Sequence, residues 1–137
     1  MSPKCFILDS YAIISVLLEQ PGYKKVVNLL ESSTRGECKL YMTTINWGEV
    51  YYHLVRRKGE RAANTAIAYL EAIQIELVEA TQQRVLNAAK IKARYPVSYA
   101  DAFAVAAAQE FACSVVTGDP EFKRVTHLVG LLWLADD

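Results

Sequence analysis

Short apolar runs alternate with longer segments of helical period along the chain, and this alternation constrains the fold more than any other feature. The runs cover residues 5–8, 40–42, 73–78, 114–116 and 131–134. Their length and their β-branched or aromatic content predict buried strands, although the third run also fits the extension of a helix. Between them, Trp47, Val50, Tyr51, Leu54 and Val55 recur at i, i+3, i+4, i+7 and i+8, which places all of them on one core-facing stripe. Gly59 interrupts that segment, and an alanine-rich helix resumes over 60–72. Further helices are predicted over 11–18, 22–33, 81–93 and 99–111. Strands separated by helices imply an α/β fold with a mainly parallel sheet covered on both faces. With 137 residues and neither internal repeat nor linker, the chain reads as one domain over 1–137.

Charge excludes a general affinity for polyanions, because 15 Lys and Arg balance 15 Asp and Glu. Basic residues cluster only locally, at Arg56-Arg57-Lys58, at Lys90, Lys92 and Arg94, and at Lys123-Arg124; each alone reads as a solvated helix end. The 3 cysteines, Cys5, Cys38 and Cys113, have neither the even count of a disulfide framework nor CxxC spacing. They are expected to be free thiols in a reducing compartment. The opening MSPKCFILD meets an acid too early for a signal peptide or a membrane span, so a cytoplasmic location is expected.

In an open α/β sheet, ligands bind outside the carboxyl ends of the strands. Acids stand at such places. Asp9 follows CFIL, Asp119 follows VVTG, and Asp101 lies three residues after Ser98. Each is also a good helix cap, since acids favour helix N-termini, and Ser98 to Asp101 has the pattern of a capping box. Asp119 before Pro120 fits a cap followed by proline at the first helical position. Glu49 is different, because it falls beyond the first turn of a helix capped at Thr44, on a face shared with Asn46, His53 and Arg56. If Asp9, Glu49, Asp101 and Asp119 converge, their mutual repulsion needs a cation to relieve it. Hard oxygen donors without a His/Cys set suit Mg²⁺ or Mn²⁺, one or two ions. Such ions suit the hydrolysis of a phosphodiester.

ILDSYAII around Asp9, TTINWGEV around Glu49, SYADAFAVAAA around Asp101 and TGDPEF around Asp119 resemble, in order and spacing, the acidic motifs of PIN-domain nucleases. In length and layout the chain looks most like the VapC-type toxins of toxin–antitoxin pairs. The resemblance implies a three-layer fold with about five strands, and Mg²⁺- or Mn²⁺-dependent cleavage of RNA. It also implies a homodimer and a cognate antitoxin that covers the cleft. The family's acidic positions carry over to Asp9, Glu49, Asp101 and Asp119. Ser10 and Thr117 match accessory hydroxyls, and Glu121 matches a more variable outer acid.

In such a fold Arg56, Arg57, Lys58, Lys123 and Arg124 are candidates to hold phosphates beside the cleft. Tyr11, Tyr52 and Tyr99 are candidates to stack on unpaired bases, whereas Tyr51 lies in the core stripe. His53 shares the Glu49 face but is not required as a base, and His127 is incidental. Cys5 and Cys113 would lie on adjacent strands and serve packing. Residues 13–18 with Val26, Val27, Leu29 and Leu30 are core, part of which could form a groove for an antitoxin helix. Two rivals stay open at this level: a non-catalytic or regulatory module that binds RNA or protein, and a phosphatase or phospho-accepting domain. The second is weakened by Tyr11, which stands where a DxD pair would need its second acid.

Overall fold

A computed structural model describes residues 4–134; the ends of the predicted domain, 1–3 and 135–137, lie outside the described residues. The strands are β1 (Lys4–Leu8), β2 (Cys38–Thr43), β3 (Glu76–Val78), β4 (Ser114–Thr117) and β5 (Leu131–Trp133). The helices are α1 (Ser10–Leu17), α2 (Tyr23–Thr34), α3 (Thr44–Lys58), α4 (Glu60–Glu71), α5 (Gln82–Arg94) and α6 (Tyr99–Phe111), with a 3-10 segment over Pro120–Val125. All the predicted strands form, and the sheet is wholly parallel in the order β3-β2-β1-β4-β5. β3 is shorter than the predicted run, because only Glu76, Leu77 and Val78 pair with β2 at this edge of the sheet. The cap of α3 is Thr43 rather than Thr44: its hydroxyl accepts from the Asn46 N–H at 3.1 Å.

Alternation along each strand sorts the core onto two faces. Leu8, Leu40, Met42 and Val116 pack under α1 to α4, while Ile7 and Val115 pack under α5 and α6. Both faces are therefore dry, as a parallel sheet requires. No helix among the described residues is long and apolar enough to cross a membrane.

One expectation is overturned. Cys5 and Cys113 are joined in a disulfide with Cα atoms 5.0 Å apart, and Cys38 alone stays free, buried beside the Leu29 carbonyl. The register explains the pairing: Phe6 lies opposite Ser114, so the residues just before them meet at the amino ends of β1 and β4. The disulfide also removes the cysteine-based argument for a reducing compartment.

The strand order places the topological switch between β1 and β4, where chain connections depart to opposite sides. A crevice opens at the carboxyl ends of these two strands. Asp9 and Asp119 emerge there.

Candidate metal centre

The local structure that caps each helix also aims its acid. Asp9 is the N-cap of α1: its Oδ1 accepts the Ala12 N–H at 2.9 Å, and its Oδ2 accepts the Thr117 hydroxyl from the end of β4. The Thr117 hydroxyl in turn accepts the Asp119 N–H at 3.0 Å, so one buried threonine ties the first acid to the fourth. Asp119 caps the 3-10 segment through the Glu121 N–H at 3.0 Å, with Pro120 at its first position. Asp101 enters through the first turn of α6, where the Ser98 hydroxyl accepts its N–H at 3.1 Å. Capping and site-building are thus the same contacts.

Asp101, Asp119 and Glu121 each bring a carboxylate oxygen within 4.8 Å of the others. Glu49 lines the same cavity, of about 430 Å³, together with Ser10 and Tyr11. Asp9 is 1% exposed and lies beneath the cavity wall, close enough to Asp119, Glu49 and Asp101 to feel their charge. Glu121, expected as an outer acid, stands inside the tight cluster. Of the expected basic residues, only Arg57 reaches the cavity. Arg56 lies over the Tyr52 ring, Lys58 lines a separate surface depression, Lys123 sits 4.9 Å from the Trp133 ring centroid, and Arg124 donates to the Pro96 carbonyl at 2.8 Å.

Two further residues build the site without themselves being candidate ligands in the sequence. Asn46 is fully buried at the start of α3; its amide donates to Glu49 at 3.0 Å, and its carbonyl oxygen accepts the Thr43 hydroxyl at 2.7 Å. It fixes Glu49 from below, and the i, i+3 spacing was the available clue. Gly118 is the other. A Cβ there would meet the Tyr11 ring at 2.3 Å, so glycine leaves the space that the Tyr11 ring occupies beside the cavity. Gly118→Ala is expected to destabilise the fold by about 1–3 kcal/mol through overpacking. The Tyr11→Ala background should remove most of that cost, and thermal unfolding of the single and double variants measures the coupling.

Burial sets the electrostatics. Desolvation raises the Asp9 carboxyl to a pKa of about 7 against the opposing Thr117 and Ala12 hydrogen bonds, with Asp119 and Glu49 adding to the rise. Asp101 is raised to about 8, first by burial and then by Glu121, whose carboxylate accepts a proton held on Asp101. Once ionised, Asp101 keeps a buried Oδ2 with no hydrogen-bond donor. An unpartnered, buried anionic oxygen among two further carboxylates is a costly arrangement unless a cation joins it. The donor set is oxygen only and fits Mg²⁺ or Mn²⁺.

The PIN domain family model matches residues 6–128. The chain is a PIN domain. A search of curated sequences finds no match for it. Among solved structures, this PIN domain superposes on VapBC2 from Rickettsia felis bound to a promoter DNA fragment, with a TM-score of 0.76 at 14% identity over 95% of this chain and 98% of that one. DNA-bound VapBC from Salmonella typhimurium gives a TM-score of 0.73 at 18% identity, over 94% and 97% of the two chains. VapC20 of Mycobacterium tuberculosis, described as a sarcin-ricin loop cleaving toxin, gives 0.70 at 18% identity over 88% and 94%. At these identities the likeness is one of fold.

Proposed function

We propose that this PIN domain is an endoribonuclease, dependent on Mg²⁺ or Mn²⁺, that serves as the toxin of a type II toxin–antitoxin pair. The observation that carries the reading is the cluster of Asp101, Asp119 and Glu121, in which Asp101 keeps a buried Oδ2 without a hydrogen-bond partner. Family membership and a fold shared with VapC20, described as a sarcin-ricin loop cleaving toxin, support it. A toxin acting on RNA works in the cytoplasm.

Asp101, Asp119 and Glu121 would hold a cation, with Asp9 and Glu49 at the cavity's floor and side. A divalent ion bound there supplies charge neutralisation and Lewis acidity to a phosphodiester. The chain's own residues do the positioning. Thr117 locks Asp9 to Asp119, Asn46 holds Glu49, and Ser10 and Tyr11 line the cavity.

Metal and proton should compete. Because the folded Asp9 and Asp101 bind protons more tightly than carboxyls of the unfolded chain, the metal-free protein loses stability as pH rises from the ordinary value of 3.8 through about 7 and about 8. Above that window the loss is complete. A cation favours the ionised acids, so its stabilisation grows over the same window, reaching about 2.7 kcal/mol at one hundred times its dissociation constant. Thermal unfolding across pH 5 to 9, with EDTA or with Mn²⁺, is the measurement. Superimposed curves would remove the metal centre.

A second surface supports the reading of the protein partner. Ile13, Val16, Val27, Leu30, Tyr69 and Ile73 line an apolar groove of about 250 Å³ between α1, α2 and α4. It fits the apolar face of an antitoxin's amphipathic helix. Val27→Glu should abolish co-purification with the protein encoded in the neighbouring reading frame. The toxin itself is read as a homodimer, which light scattering tests at twice the chain mass.

A further inference from the structure

Beyond Glu49, the same face of α3 carries side chains for which the hydrolytic chemistry has no use. Glu49, His53 and Arg57 follow one another at i, i+4 and i+8, and all three line the acidic cavity. At 1.5 Å per residue they are spaced about 6 Å apart along the helix, comparable with successive phosphates of an extended strand. Arg57 is exposed and makes no salt bridge among the described residues, although it stands beside a cavity rich in carboxylates. A guanidinium left unpaired there has its fork of donors available for a phosphate.

The row continues out of the cavity as an aromatic surface. The His53 ring lies 4.7 Å from that of Tyr52, tilted by 33°. Tyr52 is 42% exposed, and the Arg56 guanidinium sits 5.0 Å from its centroid. A large ring left partly in water beside an imidazole and a guanidinium makes an aromatic, cationic surface against which a nucleobase can stack. The stacking of Arg56 on Tyr52 also explains why Arg56 does not reach the cavity.

We propose that α3 is the strand-binding track of this domain: Arg57 holds the phosphate next to the scissile one, and the Tyr52–His53 surface stacks the adjoining unpaired base. The occupant is single-stranded RNA, since a base paired within a duplex has no free face to offer Tyr52. Arg57, His53 and Tyr52 are positioning residues and take no part in bond cleavage. The track rests on the reading of the cavity as an RNA-cleaving site.

The test separates the two. With a fluorescein-labelled single-stranded 12-mer oligoribonucleotide and Mn²⁺, Arg57→Gln should raise KM about tenfold and leave kcat within about twofold. The logarithmic salt dependence of binding, measured by anisotropy in EDTA, should become shallower by about 0.7, the value for one lost phosphate contact on a single strand. Tyr52→Leu should weaken binding about tenfold without changing the salt slope. Lys58→Gln, one residue from Arg57 but outside the cavity, should behave as wild type. Cleavage by the wild type with Arg57→Gln and Tyr52→Leu unchanged in KM and affinity would overturn the track and spare the nuclease. Arg57-dependent binding without cleavage by any metal-loaded form would keep the track and overturn the nuclease. Absence of both binding and cleavage overturns both.

Discussion

Asp101→Asn is expected to lower RNA cleavage by at least about 100-fold while leaving the metal-free fold as stable as the wild type, or more so above pH 8. The rate loss is of the size found when one preorganised electrostatic group is removed from a site of developing charge. The stability gain has a separate cause. In the wild type, ionised Asp101 keeps a buried oxygen without a donor, and its neighbours Glu121 and Asp119 repel it. Asparagine has nearly the same shape, carries no charge and offers an amide N–H to Glu121, so the strain of a buried anion disappears. A purely structural acid would show the opposite pattern, losing stability on substitution. Cleavage of a labelled RNA and calorimetry on the same preparation decide the matter; wild-type cleavage by the variant would end the nuclease reading.

Reduction of the Cys5–Cys113 bond is expected to lower stability by up to about 4–5 kcal/mol. The bridge spans a sequence separation of 108 residues, and in the chain-entropy model a loop of that order confines the unfolded state by about that much. Urea unfolding with and without dithiothreitol measures it, and Cys113→Ser in the absence of reductant should match the reduced wild type. A thiol count gives an independent check. Unfolded without reductant, the chain should expose Cys38 alone, against 3 thiols after reduction. The bridge sits at the amino ends of β1 and β4, opposite the acids, so the reduced folded protein should keep its cleavage activity. Coincident unfolding curves, or three reactive thiols from the start, would show that the bridge does not form.

The two halves of the molecule differed in how far their chemistry could be read from residues alone. Alternating strand and helix patterns locate β1 to β5 and α1 to α6 within a few residues, because burial imposes a period that survives in the linear string. Asp9 and Asp119 stand at element starts because short polar side chains cap helices, and Asp101 because acids favour the first turn; both preferences are local. The cysteines escaped such reasoning. That Cys5 faces Cys113 depends on Phe6 pairing with Ser114 across a strand order no local pattern encodes.

The basic residues show the same divide on a finer scale. Arg56 and Arg57 both lie on a helix whose acidic face is readable, yet only the packing of α3 against its neighbours turns Arg57 into the cavity and leaves Arg56 on Tyr52. Asn46 holding Glu49, and Gly118 yielding its space to Tyr11, depend likewise on atoms brought together from separate elements.

By itself, then, the sequence determined the layered α/β class, the position of each element and the identity of the acids that could meet, since propensity, periodicity and capping act over a few neighbouring residues. Only the tertiary structure decided that Glu121 joins Asp101 and Asp119 while Asp9 lies beneath them, which cation faces the cavity, and which thiols are joined. Those outcomes depend on strand order and register, and these are fixed when distant segments pack, not by any residue's near neighbours.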